Sequence, residues 1–438
     1  MAFIHGIHVP HRKNTQDKDA IRIPTPATVT IPTSMHIGAP AEITVKAGDE
    51  VKVGTLLAKA ASGLSSPVHS SVSGKVSKIT DYLLMNGSKA KAVVIESDGE
   101  MTPDESIKAP KINSKEDLIS ALKESGIVGL GGAGFPTYAK LNVDADRIEE
   151  LIINGAECEP YVTSDSYTML NRQEDMKDGL CVLCRHLGIK KVIIGVEANK
   201  KNAIKSMQEF AAECDFTSVS VKVLPAVYPQ GGEKVLIFNT TKKVVPTGKL
   251  PIDVGCVVLN CTTLAAIGAY IKTGMPLVKK CVTIDGGAVK EPKVVIAPIG
   301  TSLSELFDFC GGLKEEPSKI IYGGPMMGIS VTDATLPVIK NTNAVLALTE
   351  KETALPKTTA CIRCGACANT CPFSLSPVLI AKAYENKDKD SLTKLSVNTC
   401  MECGCCSYTC PANRPLVQTN KLAKIFLREE MAKEGEKK

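Results

Sequence analysis

The chain has 438 residues, which excludes a single small module and leaves room for about three or four domains. Its 44% apolar and 23% charged residues exclude extended disorder and fibrous repeats. A net charge of +5, with 4% aromatic residues and no Trp, is too dilute for a nucleic-acid surface and leaves little for base stacking.

No run of about 18 uninterrupted apolar residues occurs; the nearest, 254–271, is broken by Asn260, Thr262 and Thr263. No transmembrane segment is expected. The opening MAFIHGIHVPHRK has neither the apolar core nor the small-residue cleavage site of a secretory signal, so a cytoplasmic setting is expected. Seventeen cysteines, an odd number in a reducing compartment, point to metal rather than to a disulfide framework.

In chain order, four domains are expected in a multidomain α/β plus β architecture. Residues 1–115 form the first. Within 41–95 short Val and Ile runs alternate with Gly-Asp, Gly and Ser-Gly punctuation, the pattern of hairpins in a small antiparallel barrel. Val45–Leu57 reads as strand, turn, strand, and the region resembles barrel-sandwich domains of the lipoyl/biotinyl type. It presents no lysine at a hairpin tip, so a docking or structural role is expected instead of a swinging arm. His5, His8 and His11 read as a solvated loop in preference to a metal site.

Residues 116–275 change pattern. Strands at 151–153, 191–196 and 257–259 alternate with helix-length segments, an α/β layout with a largely parallel sheet. Cys181 and Cys184 fall on a helix there and read as small packed residues. Residues 276–345 follow as a small β-plus-helix domain, whose 281–312 stretch gives two strands and a short helix opened by Thr301 and ended by Gly311 and Gly312. Residues 346–438 close the chain as a helical module, with helices at 377–384 and 416–431, the latter carrying Leu422, Ile425 and Phe426 on one side.

Nine of the seventeen cysteines lie between Cys361 and Cys410. Cys361, Cys364, Cys367 and Cys371, followed by Pro372, recur as Cys400, Cys403, Cys406 and Cys410, followed by Pro411, 39 residues on. Such runs turn three thiolates onto one four-iron cluster and send the fourth to the other. Cys361, Cys364, Cys367 and Cys410 are therefore assigned to one [4Fe-4S] cluster, and Cys400, Cys403, Cys406 and Cys371 to a second. Structural zinc is the competing reading, but zinc ribbons use separated pairs of cysteines. Cys405 is surplus.

The second motif is Gly129-Leu130-Gly131-Gly132-Ala133-Gly134-Phe135-Pro136-Thr137-Tyr138-Ala139-Lys140. Clustered glycines let backbone N–H groups approach a phosphate or a flat ring, and Lys140 offers a countercharge. Its spacing fits neither the dinucleotide nor the Walker pattern. The loop resembles the flavin loop of the NADH-oxidising flavoprotein subunit of respiratory complex I. Asn154-Gly155-Ala156-Glu157-Cys158-Glu159-Pro160, Tyr228-Pro229-Gln230-Gly231-Gly232-Glu233 and Asn260-Cys261-Thr262-Thr263-Leu264 resemble further segments of that family, with Ala156 and Gly232 standing where it carries acids. Residues 281–312 resemble its soluble-ligand-binding β-grasp domain.

The resemblance implies that Gly129, Gly131, Gly132, Gly134, Lys140, Asn154, Glu157, Tyr228, Gly231, Asn260 and Thr263 line FMN. It places Phe135 near the nicotinamide nucleotide, and Glu159 and Glu233 facing NAD(H), Glu159 at a ribose. Domain order, with the opening Gly6-Ile7-His8-Val9-Pro10-His11-Arg12-Lys13, closely resembles the RnfC family of the Rnf ion-translocating electron transport complex. That family implies a peripheral subunit on the cytoplasmic side, other membrane subunits as partners, NAD(H) as substrate, and FMN as the converter between hydride and single electrons. A cobalamin reductase of microcompartments and a flavin-free iron–sulfur adaptor are the alternatives.

Overall fold

The computed structural model describes residues 4, 6–84, 87–331 and 333–435. Alternating apolar residues build the first domain as expected, because each strand sends every second side chain inward. Thr28–Pro32, Lys89–Ser97, Gly74–Leu83 and Glu50–Val51 form one antiparallel sheet, and Glu42–Ile43, Leu56–Lys59 and Val68–His69 form another. Val29, Ile31, Leu57, Val76 and Ile95 fill the space between them, and the same core runs on into Leu118, Leu122, Ile127 and Val128 of the next domain. A shared core fixes this barrel in place, in keeping with a structural role.

The N-terminal stretch leaves the barrel. Ala20–Arg22 pairs in parallel with Lys293–Pro298 and edges the β-grasp sheet. Residues 6–18 are an irregular strap anchored at two points, with His11 exposed as expected: Ile7 pairs with Tyr228, and the Lys13 ammonium is held by the carbonyls of Glu157, Glu159 and Val162 at 2.9, 2.8 and 2.5 Å. His8 is exposed, as expected. His5 lies outside the described residues.

The second domain is a four-stranded, wholly parallel sheet in the order Ser218–Leu224, Lys191–Glu197, Glu150–Gly155, Cys256–Asn260. The central strands are continuous apolar runs because helices cover both faces. Ser218–Leu224 escapes sequence reading because it is an edge strand with alternating polar residues, largely exposed. The long apolar run at 254–271 divides at Asn260, whose side chain accepts from the N–H groups of Thr262 and Thr263 and caps the helix Cys261–Thr273. No helix among the described residues is long and apolar enough to cross a membrane. Cys184 is buried on Gln173–Leu187, and all seventeen cysteines are free thiols.

The β-grasp sheet is mixed, in the order Ala20–Arg22, Lys293–Pro298, Lys279–Asp285, Ala344–Leu348, Lys319–Tyr322, Ile329–Val331. Its helix Leu303–Phe309 is opened by Ser302 and not by Thr301: Ser302 and Glu305 form a reciprocal capping box. The buried Thr301 hydroxyl instead donates to Pro298.

Three domains meet at Lys340, which is 1% exposed and donates to Ser66 Oγ, Pro67 O and Gly126 O at 3.2, 2.6 and 2.7 Å. Burial pulls its pKa from 10.5 down to about 7. Between those values the unfolded chain binds the proton and the fold does not, so Lys340 lets stability rise with pH across that window; below it the buried charge costs its full penalty. Lys340→Met should therefore be most favourable relative to wild type near pH 6.5, and that advantage should shrink towards pH 9.5. Thermal melts of both proteins at the two pH values check this, and a pH-independent difference would refute it.

The C-terminal module repeats in backbone as well as in sequence. Left-handed residues recur 39 apart as Arg363 and Glu402, Gly365 and Gly404, Ser374 and Asn413, and so do the one-turn helices Ala366–Asn369 and Cys405–Tyr408. The hydroxyls of Thr370 and Thr409, equivalent in the two halves, meet at 3.2 Å. The closing helix, Leu416–Gly435, buries a different face from the expected one. Leu416, Asn420, Ala423 and Leu427 point inward, Phe426 is partly packed, and Leu422 and Ile425 are exposed. Asn420 on the inner stripe misled the apolar pattern: it turns inward because its amide reaches Cys400 Sγ at 3.6 Å.

Candidate functional site

Strand order puts a reversal between Glu150–Gly155 and Cys256–Asn260, and open α/β sheets bind ligands beyond the carboxyl ends of strands at such a point. Asn154 and Asn260 stand there side by side in register. The glycine-rich turn lies against them: a Cβ on Gly131 would sit 2.5 Å from Asn260 Nδ2, so glycine is needed for that approach. The turn is held from four directions. Gly129 N–H donates to Phe135 O, Leu130 N–H to Thr263 Oγ1, Lys280 to Leu130 O and Asn341 to Gly132 O, at 2.8, 2.9, 3.3 and 3.0 Å. Ile37 of the barrel donates to Gly134 O at 3.1 Å. Among the described residues no hydrogen bond uses the N–H groups of Gly131, Gly132 or Ala133, and all three residues are exposed. A rigid turn presenting unpaired N–H groups at the carboxyl edge of a sheet fits the phosphate or the flat ring of a bound flavin nucleotide.

Around the crevice, Asn154 Nδ2 donates to Gly231 O at 2.9 Å. Lys140 Nζ pairs with Glu233 at 2.7 Å and also reaches Val258 O at 3.2 Å. Phe135 is half-buried beside the turn.

Three expected site residues direct their functional groups elsewhere. Glu157 is buried against Lys200 at 2.9 Å and accepts from Asp165 N–H and Ser166 Oγ. Burial pushes its pKa up, but Lys200 and Lys13 overcome this and hold it below the usual range. Glu159 accepts from the N–H groups of Met326 and Met327 at 3.0 and 2.8 Å, so its carboxylate faces a β-grasp loop; burial raises its pKa to about 7. Tyr228 donates its hydroxyl to Cys403 O at 2.7 Å. Asp165, which accepts from Asn260 and Thr262 at 2.8 Å each, was missed, as were Lys280, Asn341 and Lys13. Lys13 closes the opening motif, which gave no sign of its long-range partners; the other three belong to no local motif, and a buried Lys in a strand carries no sequence signal.

Cys371, Cys400, Cys403, Cys405 and Cys406 line one apolar pocket with Phe373, Leu375 and Val417, and Cys410 packs in a cluster with Cys367 that Cys406 also joins. Both groupings cross between the two runs. Among the described residues no three His, Cys, Asp or Glu side chains stand close enough to hold a single ion. Several cysteines converging on one pocket from two matched runs are what a polynuclear cluster requires. Met401 and Cys403 also touch the nucleotide side: a Cβ on Gly232 would lie 2.4 Å from Met401 Cε, and Ile7, Val9, Tyr228, Cys403 and Cys405 share one apolar cluster with Cys158 and Met401.

Crevice, thiol pockets and β-grasp sheet together define an oxidoreductase chain of the flavin and iron–sulfur class. Residues 122–269 match the Nuo51 FMN-binding domain, 1–100 the RnfC barrel sandwich hybrid domain, 281–330 the SLBB domain and 357–414 the 4Fe-4S dicluster domain. The chain is 42% identical over 386 residues to the C subunit of the proton-translocating ferredoxin:NAD(+) oxidoreductase complex of Clostridium ljungdahlii, covering 87% of this chain and 84% of that one. It is 41% identical to the Na(+)-translocating counterpart of Acetobacterium woodii, covering 96% of each chain, and 39% identical to the C subunit of the ion-translocating oxidoreductase complex of Rhodobacter capsulatus, covering 98% of this chain and 83% of that one. The chain belongs to the RnfC family. An NAD+-reducing [NiFe]-hydrogenase chain, 17% identical, superposes with a TM-score of 0.49 over 72% of this chain and 61% of that one. Neither the cobalamin reductase nor the flavin-free adaptor is favoured by relatives matched over nearly the whole chain.

Proposed function

We propose that this chain is the NAD(H)-reacting, electron-transferring subunit of a membrane-bound, ion-translocating ferredoxin:NAD oxidoreductase complex, seated peripherally on the cytoplasmic side. The observation that carries the reading is the rigid glycine turn, whose N–H groups at Gly131, Gly132 and Ala133 have no partner among the described residues, built against loops that also touch a pocket lined by five cysteines. Bound in the crevice, FMN supplies the conversion between hydride exchange with NAD(H) and single-electron exchange with two [4Fe-4S] clusters.

The chain's own residues position and insulate. Gly131, Gly132 and Ala133 offer N–H groups to an anion or a ring oxygen, with Asn154 and Asn260 behind them. Lys140 supplies the countercharge once it exchanges Glu233 for a ligand. Phe135 flanks the nicotinamide nucleotide. Cys361, Cys364, Cys367 and Cys410 hold one cluster and Cys371, Cys400, Cys403 and Cys406 the other, the second being the one against the nucleotide loops. Asn420 Nδ2 and the Glu402 N–H donate towards Cys400 Sγ and moderate the charge of that thiolate.

Acid denaturation of anaerobically purified, reconstituted protein should release FMN, and NADH oxidation with an artificial acceptor should depend on added FMN in depleted samples. Protein that retains no flavin after reconstitution would end this reading. Lys140→Ala should weaken flavin retention about tenfold, as loss of a charge-assisted contact does, while iron stays near eight atoms per chain, from two four-iron clusters. Equal flavin retention in wild type and variant would remove Lys140 from the site.

A further inference from the structure

The turn Tyr228–Gly232 has two working faces. One meets the nucleotide crevice: Gly231 O accepts from Asn154 at 2.9 Å and Gly231 N–H donates to Cys158 Sγ at 3.3 Å. The other meets the second cysteine run through Met401 and Cys403. Tyr228 is 2% exposed, and its backbone is paired in both directions with Ile7 at 2.8 and 2.9 Å. Among the described residues its one hydroxyl hydrogen bond goes to the carbonyl of Cys403, a thiol-bearing residue of the pocket shared with Cys371, Cys400 and Cys406. Ile7, Val9, Cys405, Met326 and Met401 keep water from that contact, and a hydrogen bond in such surroundings is stronger than one in water.

We infer that Tyr228 is a positioning residue whose hydroxyl sets the reduction potential of the cluster held by Cys371, Cys400, Cys403 and Cys406, an inference that rests on the cluster assignment proposed above. An O–H dipole donated to the backbone carbonyl of a ligating cysteine sets its positive end at that carbonyl and offsets the carbonyl's negative charge. Adding one electron makes the cluster more negative, so the dipole stabilises the reduced form more than the oxidised one and raises the potential. No proton moves in this scheme. Tyr228 thus makes the cluster beside the nucleotide loops a better electron acceptor than it would be without the hydroxyl.

The test is an EPR-monitored redox titration of the full-length, reconstituted protein and its Tyr228→Phe variant. One cluster signal should move to lower potential, its reduction equilibrium falling about two- to tenfold, the range that one hydrogen bond carries. The moving signal should be the one lost in Cys371→Ser, and flavin and iron contents should match wild type. Difluorotyrosine at position 228, a stronger donor of nearly the same size, should move the same signal upward. Unchanged potentials in both variants, or a shift confined to the other cluster, would overturn the inference. Flavin loss with unshifted potentials would also overturn it, by assigning the hydroxyl to the flavin. Wild-type protein lacking flavin or iron would instead sink the proposed function, which keeps the two failures apart.

Discussion

Cys371→Ser should lower the iron content of the reconstituted protein from about eight to about four atoms per chain, and the cluster that disappears should be the one held by the second cysteine run. Cys371 belongs to the first run in sequence, yet it lines a pocket with Cys400, Cys403 and Cys406, while Cys410 packs beside Cys367. Serine keeps the size of the side chain but is a poor ligand for iron, so a cluster losing one of four thiolates becomes labile. Iron analysis paired with EPR of the reduced protein reads the outcome. If the surviving signal is the one that depends on Cys400, Cys403 and Cys406, the ligands do not cross.

Glu157→Leu should destabilise the fold by about 3–5 kcal/mol, the usual cost of removing one partner from a buried ion pair, and lower the melting temperature on the order of 10 °C. Lys200 is left with its charge at 3% side-chain exposure; Lys13 lies close enough to repel it, and only Glu197 and Asp165, weaker partners than Glu157, remain to attract it. The double variant Glu157→Leu with Lys200→Met removes both charges and should recover most of the loss. Wild-type thermal stability in the single variant, accompanied by flavin release, would return Glu157 to the cofactor role that resemblance implies.

What the sequence made legible was what recurs at fixed local spacing. Thiol ligands must sit on tight turns, so the two runs announced themselves. The glycine-rich turn at 129–134 did the same, and at Gly131 the close backbone approach to Asn260 tolerates no Cβ. The helix start at Asn260 was hidden inside one apolar run, because capping depends on a side chain and not on hydropathy. Long-range pairings were invisible altogether. Lys200 finds Glu157 across 43 residues, and Tyr228 finds Cys403 across 175. Both Glu157 and Tyr228 looked like parts of a flavin motif, and folding alone turned them to a buried ion pair and to the cluster module. The strand Ala20–Arg22 had too few residues to show a period, and its place in the β-grasp sheet follows from pairing with Lys293–Pro298.

The contact of Thr370 with Thr409 joins two equivalent points of a duplicated unit, so a local dyad passes between them. Under such symmetry an exchange of ligands in one direction entails the reciprocal exchange: when Cys371 serves the far half, Cys410 serves the near one. Each half severed from its mate keeps three thiols for its own cube and points the fourth into empty solvent. A chain cut between Glu385 and Thr399 and separated should therefore lose both chromophores together, which makes the duplicated unit indivisible for metal loading.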